Sequence, residues 1–195
     1  MYVELILDCH KQGDSLDDIA RRIFLVYPSA AFESNRESHF RLFSEIATFF
    51  HIPFSSIHVV GSGHVGHSLV SDSPFDPSGS DIDIAVIDAT LFRHYTEIAF
   101  ETSNGFSDRS AFPTDRRGQN TQRQFLKYIS RGFYRPDLMP NCPARAEWLN
   151  YFDRLSGKYS RLCNGISAGI YASELFFAFK QKKSIGSFLS NRGVA

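Results

Sequence analysis

The sequence predicts an α+β fold in which amphipathic helices surround a few short strands. Three observations carry this. Residues 15–50 hold two helix-periodic stretches with capping signals. A β-branched run, Ile57, Val59 and Val60, is followed by the alternating segment Asp81–Ile87 (DIDIAVI). Tracts rich in Ser, Pro, Asp and Gly, 71–80 and 102–120, separate the periodic segments as loops.

In chain order, residues 1–8 (MYVELILD) alternate poorly and fit a strand or a helical turn. Ser15 with Asp18 resembles an N-cap with an acid at its third position, and Leu16, Ile19, Ile23 and Val26 follow helical spacing up to Pro28. Ser34 and Glu37 spell a second capping box. Phe40, Phe43, Ala47 and Phe50 then share a helix face, stopped by residues 51–53. Residues 57–60 read as a buried strand and 81–87 as a half-buried one. Helices are expected at 91–100, 121–130, 144–162 and 174–189, with a further strand at 166–171. The expected organisation is a helical segment, 1–56, packed on a core, 57–195, in a single compact domain. There is no internal repeat.

The 195 residues carry 21 basic and 21 acidic side chains, and 43% are hydrophobic. That excludes a polybasic tail and a disordered acidic chain. The balance hides an asymmetry. Residues 1–104 hold 15 acids against 6 bases, a net of −9, and residues 105–195 hold 6 against 15, a net of +9. Such a split fits halves that neutralise each other, or a cleft for a polyanion. Three scattered cysteines, Cys9, Cys142 and Cys163, form no C-x-x-C pair, which argues against a zinc ribbon or a disulfide framework. With no apolar run of membrane-spanning length and no basic leader, a cytoplasmic protein without a membrane partner is expected.

The chemically informative stretch runs from Val59 to Val86. Asp81 and Asp83 are two residues apart on a strand and therefore share a face, with Ile82 and Ile84 on the other. Two such carboxylates repel each other, and a hard divalent cation, Mg²⁺ or Mn²⁺, relieves the repulsion. Gly61-Ser62 leaves the preceding strand where a short helix can begin and phosphate can approach backbone N–H groups. Phosphate donors beside metal carboxylates are the parts of a phosphoryl- or nucleotidyl-transfer site. A solvated edge strand would also present two acids on one face.

This arrangement resembles the DNA-polymerase-beta-like nucleotidyltransferase superfamily. Its signature is a hydrophobic strand, Gly-Ser, a helix, and Asp-hydrophobic-Asp-hydrophobic on the next strand. Gly61-Ser62 matches the first part and Asp81-Ile82-Asp83-Ile84 the second, over about residues 57–88. The resemblance implies a small mixed sheet flanked by helices, with additional helices at both ends. It implies metal-dependent transfer of a nucleoside monophosphate from an NTP to a hydroxyl of a protein, RNA or small molecule. Gly61 and Ser62 would hold the triphosphate, and Asp81 and Asp83 would bind Mg²⁺ or Mn²⁺. Several small stand-alone members belong to toxin–antitoxin or anti-phage systems, a context that the resemblance alone implies. The chain departs from the pattern in two ways. Gly61 and Asp81 lie 20 residues apart, so 70–79 reads as an insertion, and the third family carboxylate has no clear counterpart. Asp137 and Asp115 are the candidates for it. Loss of that acid would suit a catalytically degenerate binding or regulatory module.

Other residues invite further readings. Gly61-x-Gly63-x-x-Gly66, with Asp81 downstream, also spells a dinucleotide fingerprint, as in an oxidoreductase, but the strand follows the acid instead of preceding it. His64 and His67 lack a third zinc ligand and are expected to face solvent or to contact phosphate or a base. Residues 105–135 carry a net +5. In that segment Arg123, Lys127 and Arg131 are spaced by four, a helix stripe that fits a triphosphate or nucleic-acid groove or an ordinary solvated face. Arg123 and Lys127 are the candidate nucleotide ligands from it. Lys180, Lys182 and Lys183 read as a solvated helix end.

Overall fold

Seven residues of alternating character make the strand around which the fold is built. The computed structural model describes residues 2–194. The central strand, Asp81–Ile87, is β4. The others are β1 (Ile57–Val60), β2 (His67–Ser68), β3 (Ser73–Pro74), β5 (Phe133–Tyr134) and β6 (Gly165–Tyr171). The helices are α1 (Tyr2–Lys11), α2 (Leu16–Arg21), α3 (Arg36–Phe50), α4 (Gly61–Val65), α5 (Ala89–Thr102), α6 (Gln122–Ile129), α7 (Pro143–Lys158) and α8 (Glu174–Asn191). The main sheet has the order β1-β4-β6-β5. β4 is antiparallel to β1 and parallel to β6, and β5 adds antiparallel at the edge, so the sheet is mixed. The class is α+β, as the sequence predicts.

Alternation along the strands sorts the core into two layers. Ile82, Ile84 and Val86 of β4 join Ile57, Val59, Ile166 and Ile170 on one face, beneath α3, α5, α6 and α7. Trp148, Phe125, Phe50 and Phe152 fill that layer. On the opposite face, Val60, Ala85 and Tyr171 pack against Ile6, Ile19, Phe177, Ile185 and Phe188 from α1, α2 and α8. Those helices bury the C-terminal end of β4 and β6 only. The N-terminal ends, bearing Asp81, Asp83, Gly165 and Ser167, remain uncovered, and this half-covered face creates the site.

The helices of the first 56 residues pack on both faces of the sheet. α1 and α2 lie on the same face as Asp81 and Asp83, whereas α3 lies on the other. Residues 2–11, ambiguous by pattern, are helical. Ser15 caps α2 as expected, its hydroxyl accepting from the Asp18 N–H. The second capping box does not form. α3 starts one residue later behind Asn35, whose Oδ1 accepts from the Ser38 hydroxyl, and Glu37 pairs with Arg41. Its buried face is Leu42, Phe43, Ile46 and Phe50, so Phe40 rotates out to 59% exposure against Phe54. The expected loop at 71–80 begins with part of a small hairpin, β2–β3. Among the described residues no helix is long and apolar enough to cross a membrane, and all three cysteines are free.

Candidate active site

The site begins with strand register. Asp83 lies opposite Val60 on β1 and Ser167 on β6, and Asp81 lies opposite Gly165. Asp81 and Asp83 therefore stand on one face of the sheet, at its open end, both exposed. β1 ends at Val60, and Gly61 turns the chain into α4 with φ +66, a conformation glycine adopts without steric cost. Glycine is needed there for a second reason. A Cβ on Gly61 would lie 2.9 Å from Asp83 Oδ2, and one on Gly165 would lie 2.9 Å from Asp81 Oδ1. Two glycines thus leave room for the two carboxylates.

Each carboxylate is held by one side-chain donor from the start of β6. Ser167 Oγ donates to Asp83 Oδ1 at 2.8 Å, and Asn164 Nδ2 donates to Asp81 Oδ1 at 3.1 Å. The Asn164 backbone N–H in turn bonds the Ser80 carbonyl. Among the described residues no hydrogen-bond donor engages Oδ2 of either acid. The pair is oriented, and one oxygen of each is left available. Ser167 and Asn164 carry no motif of their own, and sequence reasoning missed both.

Asp81, Asp83, Gly165 and Ser167 line a cleft of about 1020 Å³. Gly61 lines it; Ser62, the next residue on α4, does not. Arg135, Tyr128 and Phe133 make one wall, α8 contributes Lys180 and Gln181, and Arg116 and Val70 sit at the rim. Arg135 makes a two-bonded fork to Asp137 (3.1 and 2.7 Å), and its guanidinium lies 5.1 Å from the centre of the Tyr128 ring. Although Asp83 is reached by solvent, protein crowds it from several sides. The resulting loss of hydration holds its carboxyl above the usual value, and Asp81 adds repulsion. The Ser167 hydrogen bond and the charges of Arg135 and Lys180 act in the opposite sense.

Several sequence expectations need correction here. Asp137 does line the cleft, but it is committed to Arg135. No group of three His, Cys, Asp or Glu side chains able to hold a metal forms among the described residues. Asp115 caps its own turn, accepting from the N–H groups of Arg117 and Gln119. The position on β6 facing Asp83 is taken by a hydroxyl, that of Ser167. Arg123 and Lys127 are exposed on α6 and do not line the cleft; its cations are Arg116, Arg135 and Lys180. Lys180 is therefore not part of a merely solvated helix end, and Lys182 pairs with Asp17. His64 does not face solvent or a ligand. It is buried, with Nε2 donating to the Ile23 carbonyl at 2.6 Å, and burial drives its pKa down to about 4. His67 bonds Asp72 in the hairpin, which Arg192 ties to the end of α8. The dinucleotide reading fails on topology: β1 and β4 are antiparallel and joined through a five-residue helix, whereas that fingerprint needs a parallel β-α-β unit.

No protein-family model matches this chain, no curated protein matches it, and no solved structure matches it.

The donor set suits a particular kind of ion. Mg²⁺ commonly binds through one or two carboxylates, with waters and substrate phosphates completing its octahedron. Two oriented acids, each with a free oxygen and faced by Arg135 and Lys180, fit a magnesium-bound polyphosphate better than a protein-only metal cage.

Proposed function

We propose that the protein is a metal-dependent nucleotidyltransferase with the nucleotidyltransferase fold. In this reading it moves a nucleoside monophosphate from an NTP to an acceptor hydroxyl. The observation that carries the reading is the Asp81/Asp83 pair on β4, flanked by Gly61 and Gly165 in a cleft also lined by Arg116, Arg135 and Lys180. Mg²⁺ or Mn²⁺ held by Asp81 and Asp83 would supply charge neutralisation at the phosphates. Arg135, Lys180 and Arg116 would bind and orient the triphosphate. The acceptor oxygen attacks the α-phosphorus, the bond to the bridging oxygen breaks, and pyrophosphate leaves. The proton of the acceptor passes to solvent or to a carboxylate of the pair, since no third acid joins it.

A second reading, an NTP-binding module that does not turn over, is favoured by one observation: a hydroxyl, Ser167, faces Asp83 from the neighbouring strand where an acid would complete the centre. The two readings separate in one experiment. The protein is incubated with each labelled NTP, Mg²⁺ or Mn²⁺ and candidate acceptors, and pyrophosphate release is measured beside Asp81→Asn/Asp83→Asn. Release lost in the double variant supports transfer. Metal-dependent NTP binding without release supports the module. No metal-dependent NTP binding by the wild type removes both.

A further inference from the structure

We propose that the exposed basic face of residues 109–131 binds a single-stranded polynucleotide and directs its 3′ end into the Asp81/Asp83 cleft. This rests on the proposed transfer reaction in one respect, since it names the acceptor. The binding surface itself rests on charge and geometry independent of that reaction.

Six cations occupy this segment: Arg109 in a short 3₁₀ turn, Arg116 and Arg117 in the following turn, Arg123 and Lys127 on α6, and Arg131 just past it. All six are exposed, and among the described residues none is in an ion pair. Elsewhere nine of the fifteen Lys and Arg side chains are paired, among them Arg21 with Glu174, Arg93 with Glu97, Lys158 with Glu45 and Arg192 with Asp72. The acid within the segment, Asp115, and the one just before it, Asp108, do not serve the arginines' side chains. Asp108 accepts from the Ser110 N–H and hydroxyl, and Asp115 from two backbone N–H groups. Both carboxylates are used to shape turns, which leaves the cations uncompensated.

The face is built on a fixed platform. Asn120 Nδ2 bonds the Arg109 carbonyl at 2.7 Å, Gln122 Nε2 bonds the Phe106 carbonyl, and the Thr121 N–H bonds the Pro113 carbonyl at 3.0 Å. These bonds fasten the loop to the start of α6, so the loop arginines and the helix cations form one surface. That surface meets the cleft through Arg116 and through Tyr128 of α6, both of which line it.

The chemistry favours a polynucleotide over an acidic peptide. Five of the six cations are arginines, whose planar guanidinium binds phosphate or carboxylate with two parallel hydrogen bonds, so the choice rests on spacing and on the neighbouring aromatic rings. Arg123 and Lys127 are one α-helical step of four apart, about 6 Å along the axis. Alternate phosphates of a stacked strand recur at roughly 6.8 Å. Where the basic face enters the cleft, Tyr128 and Phe133 line it, packed edge to face at 5.6 Å with Phe133 stacked on Tyr171, and aromatic side chains of this kind can take a stacked unpaired base.

The test uses fluorescence anisotropy with labelled single-stranded RNA and DNA bearing free 3′ hydroxyls, and poly-glutamate as the competing polyanion. Wild type is expected to bind a strand with a log–log salt slope of about −3.5, from five contacts at about −0.7 each. Arg123→Glu/Lys127→Glu/Arg131→Glu is expected to bind at least tenfold more weakly, with a slope shallower by about 2. A charge-preserving control, Arg123→Lys/Arg131→Lys, should keep most of the affinity, and circular dichroism checks that both variants fold. Binding of either sugar supports the proposal. Binding of neither strand, equal binding of poly-glutamate, or an unaltered charge-reversal variant overturns it. Asp81→Asn/Asp83→Asn separates this from the reaction. Strand binding with no pyrophosphate release by the wild type removes the transferase and leaves the surface. Release that neither strands nor the charge reversal alter removes the surface and leaves the transferase.

Discussion

Ser167 and Asp83 meet across two parallel strands, 84 residues apart in sequence, through a 2.8 Å hydrogen bond in which the hydroxyl donates to Oδ1. The bond favours the charged carboxylate, against the dehydration that raises its pKa. Ser167→Ala therefore moves the Asp83 titration to higher pH, a shift that carboxyl NMR measures directly. If the carboxyl of Asp83 titrates unchanged in the alanine variant, the bond does not set its ionisation.

Asp83→Asn is expected to stabilise the fold while abolishing metal-dependent NTP binding. Because the folded-state pKa of Asp83 is raised, protonation favours the native chain. The contribution of Asp83 is fully present below its unfolded pKa and is lost as pH rises through the folded one. At neutral pH the ionised group is a burden, and asparagine removes it while keeping an acceptor for Ser167. A rise in Tm of about 2 °C, from a fraction of a kcal/mol in a chain of this size, is the expected scale. A lower Tm in metal-free buffer would show that the carboxylate stabilises the fold instead.

The two glycines beside the acids separate stability from binding. Gly165 has ordinary backbone angles, so in Gly165→Ala only the Asp81 carboxylate, 2.9 Å from the new methyl, has to move. Stability should hold within about 0.5 kcal/mol while metal-dependent NTP affinity falls about tenfold. Gly61→Ala displaces Asp83 in the same way but also forces alanine to φ +66, at a cost of roughly 1–2 kcal/mol. Urea unfolding and NTP titration together distinguish the two variants. Equal stability loss in both would mean that the backbone at Gly61 is not what demands glycine.

Acid sensitivity should come from a histidine buried beside the site, on the same face of the sheet. His64 is buried among α1, α2 and α4, neutral, with Nε2 bonded to Ile23 and Nδ1 without a partner. Its pKa falls from 6.5 to about 4 because burial penalises the imidazolium. The unfolded chain binds the proton first, so this stability is present above pH 6.5 and is lost as pH drops toward 4, by roughly 3 kcal/mol in all. Burial also lowers the pKa of His39 and His58, which add in the same direction. In His64→Gln, which retains a donor for Ile23, urea midpoints should depend less on pH across this window. An unchanged pH slope would assign the acid sensitivity to other groups.

What was legible in the sequence was local. Alternation in Asp81–Ile84, continued by an apolar run to Ile87, marks the strand, its core face and the shared face of the two acids. Ser15 with Asp18 placed the start of α2. What was not legible depends on neighbours far along the chain. Phe40 fits the helical stripe of α3 as well as Leu42 does, and only the position of β1 and α7 decides which of them is buried. His64 reads as polar until helix α2 and its following turn supply a carbonyl for it. The cations of the cleft were misassigned for the same reason: the 123/127 repeat is a visible pattern, whereas Arg135 and Lys180 reach Asp83 through a turn and a terminal helix with no repeat to mark them.

The hydroxyl opposite Asp83 offers a gain-of-function test of the proposed metal centre. Ser167 is exposed and lines the cleft, so an acid fits there without displacing core residues. Ser167→Asp replaces a donor with a third carboxylate next to Asp83, and repulsion then raises the pKa of Asp83 further. Without divalent ions the variant should melt a few degrees below wild type near neutral pH, and the deficit should shrink as pH falls and the acids are protonated. Mn²⁺ or Mg²⁺ should restore the loss, and by more than they stabilise wild type, because a ligand of the native state stabilises it in proportion to its affinity. Calcium, larger and less exacting in geometry, serves as the comparison ion. If no divalent ion raises the Tm of either protein, with or without NTP, Asp81 and Asp83 are not metal ligands, and the pair is a solvated end of the central strand.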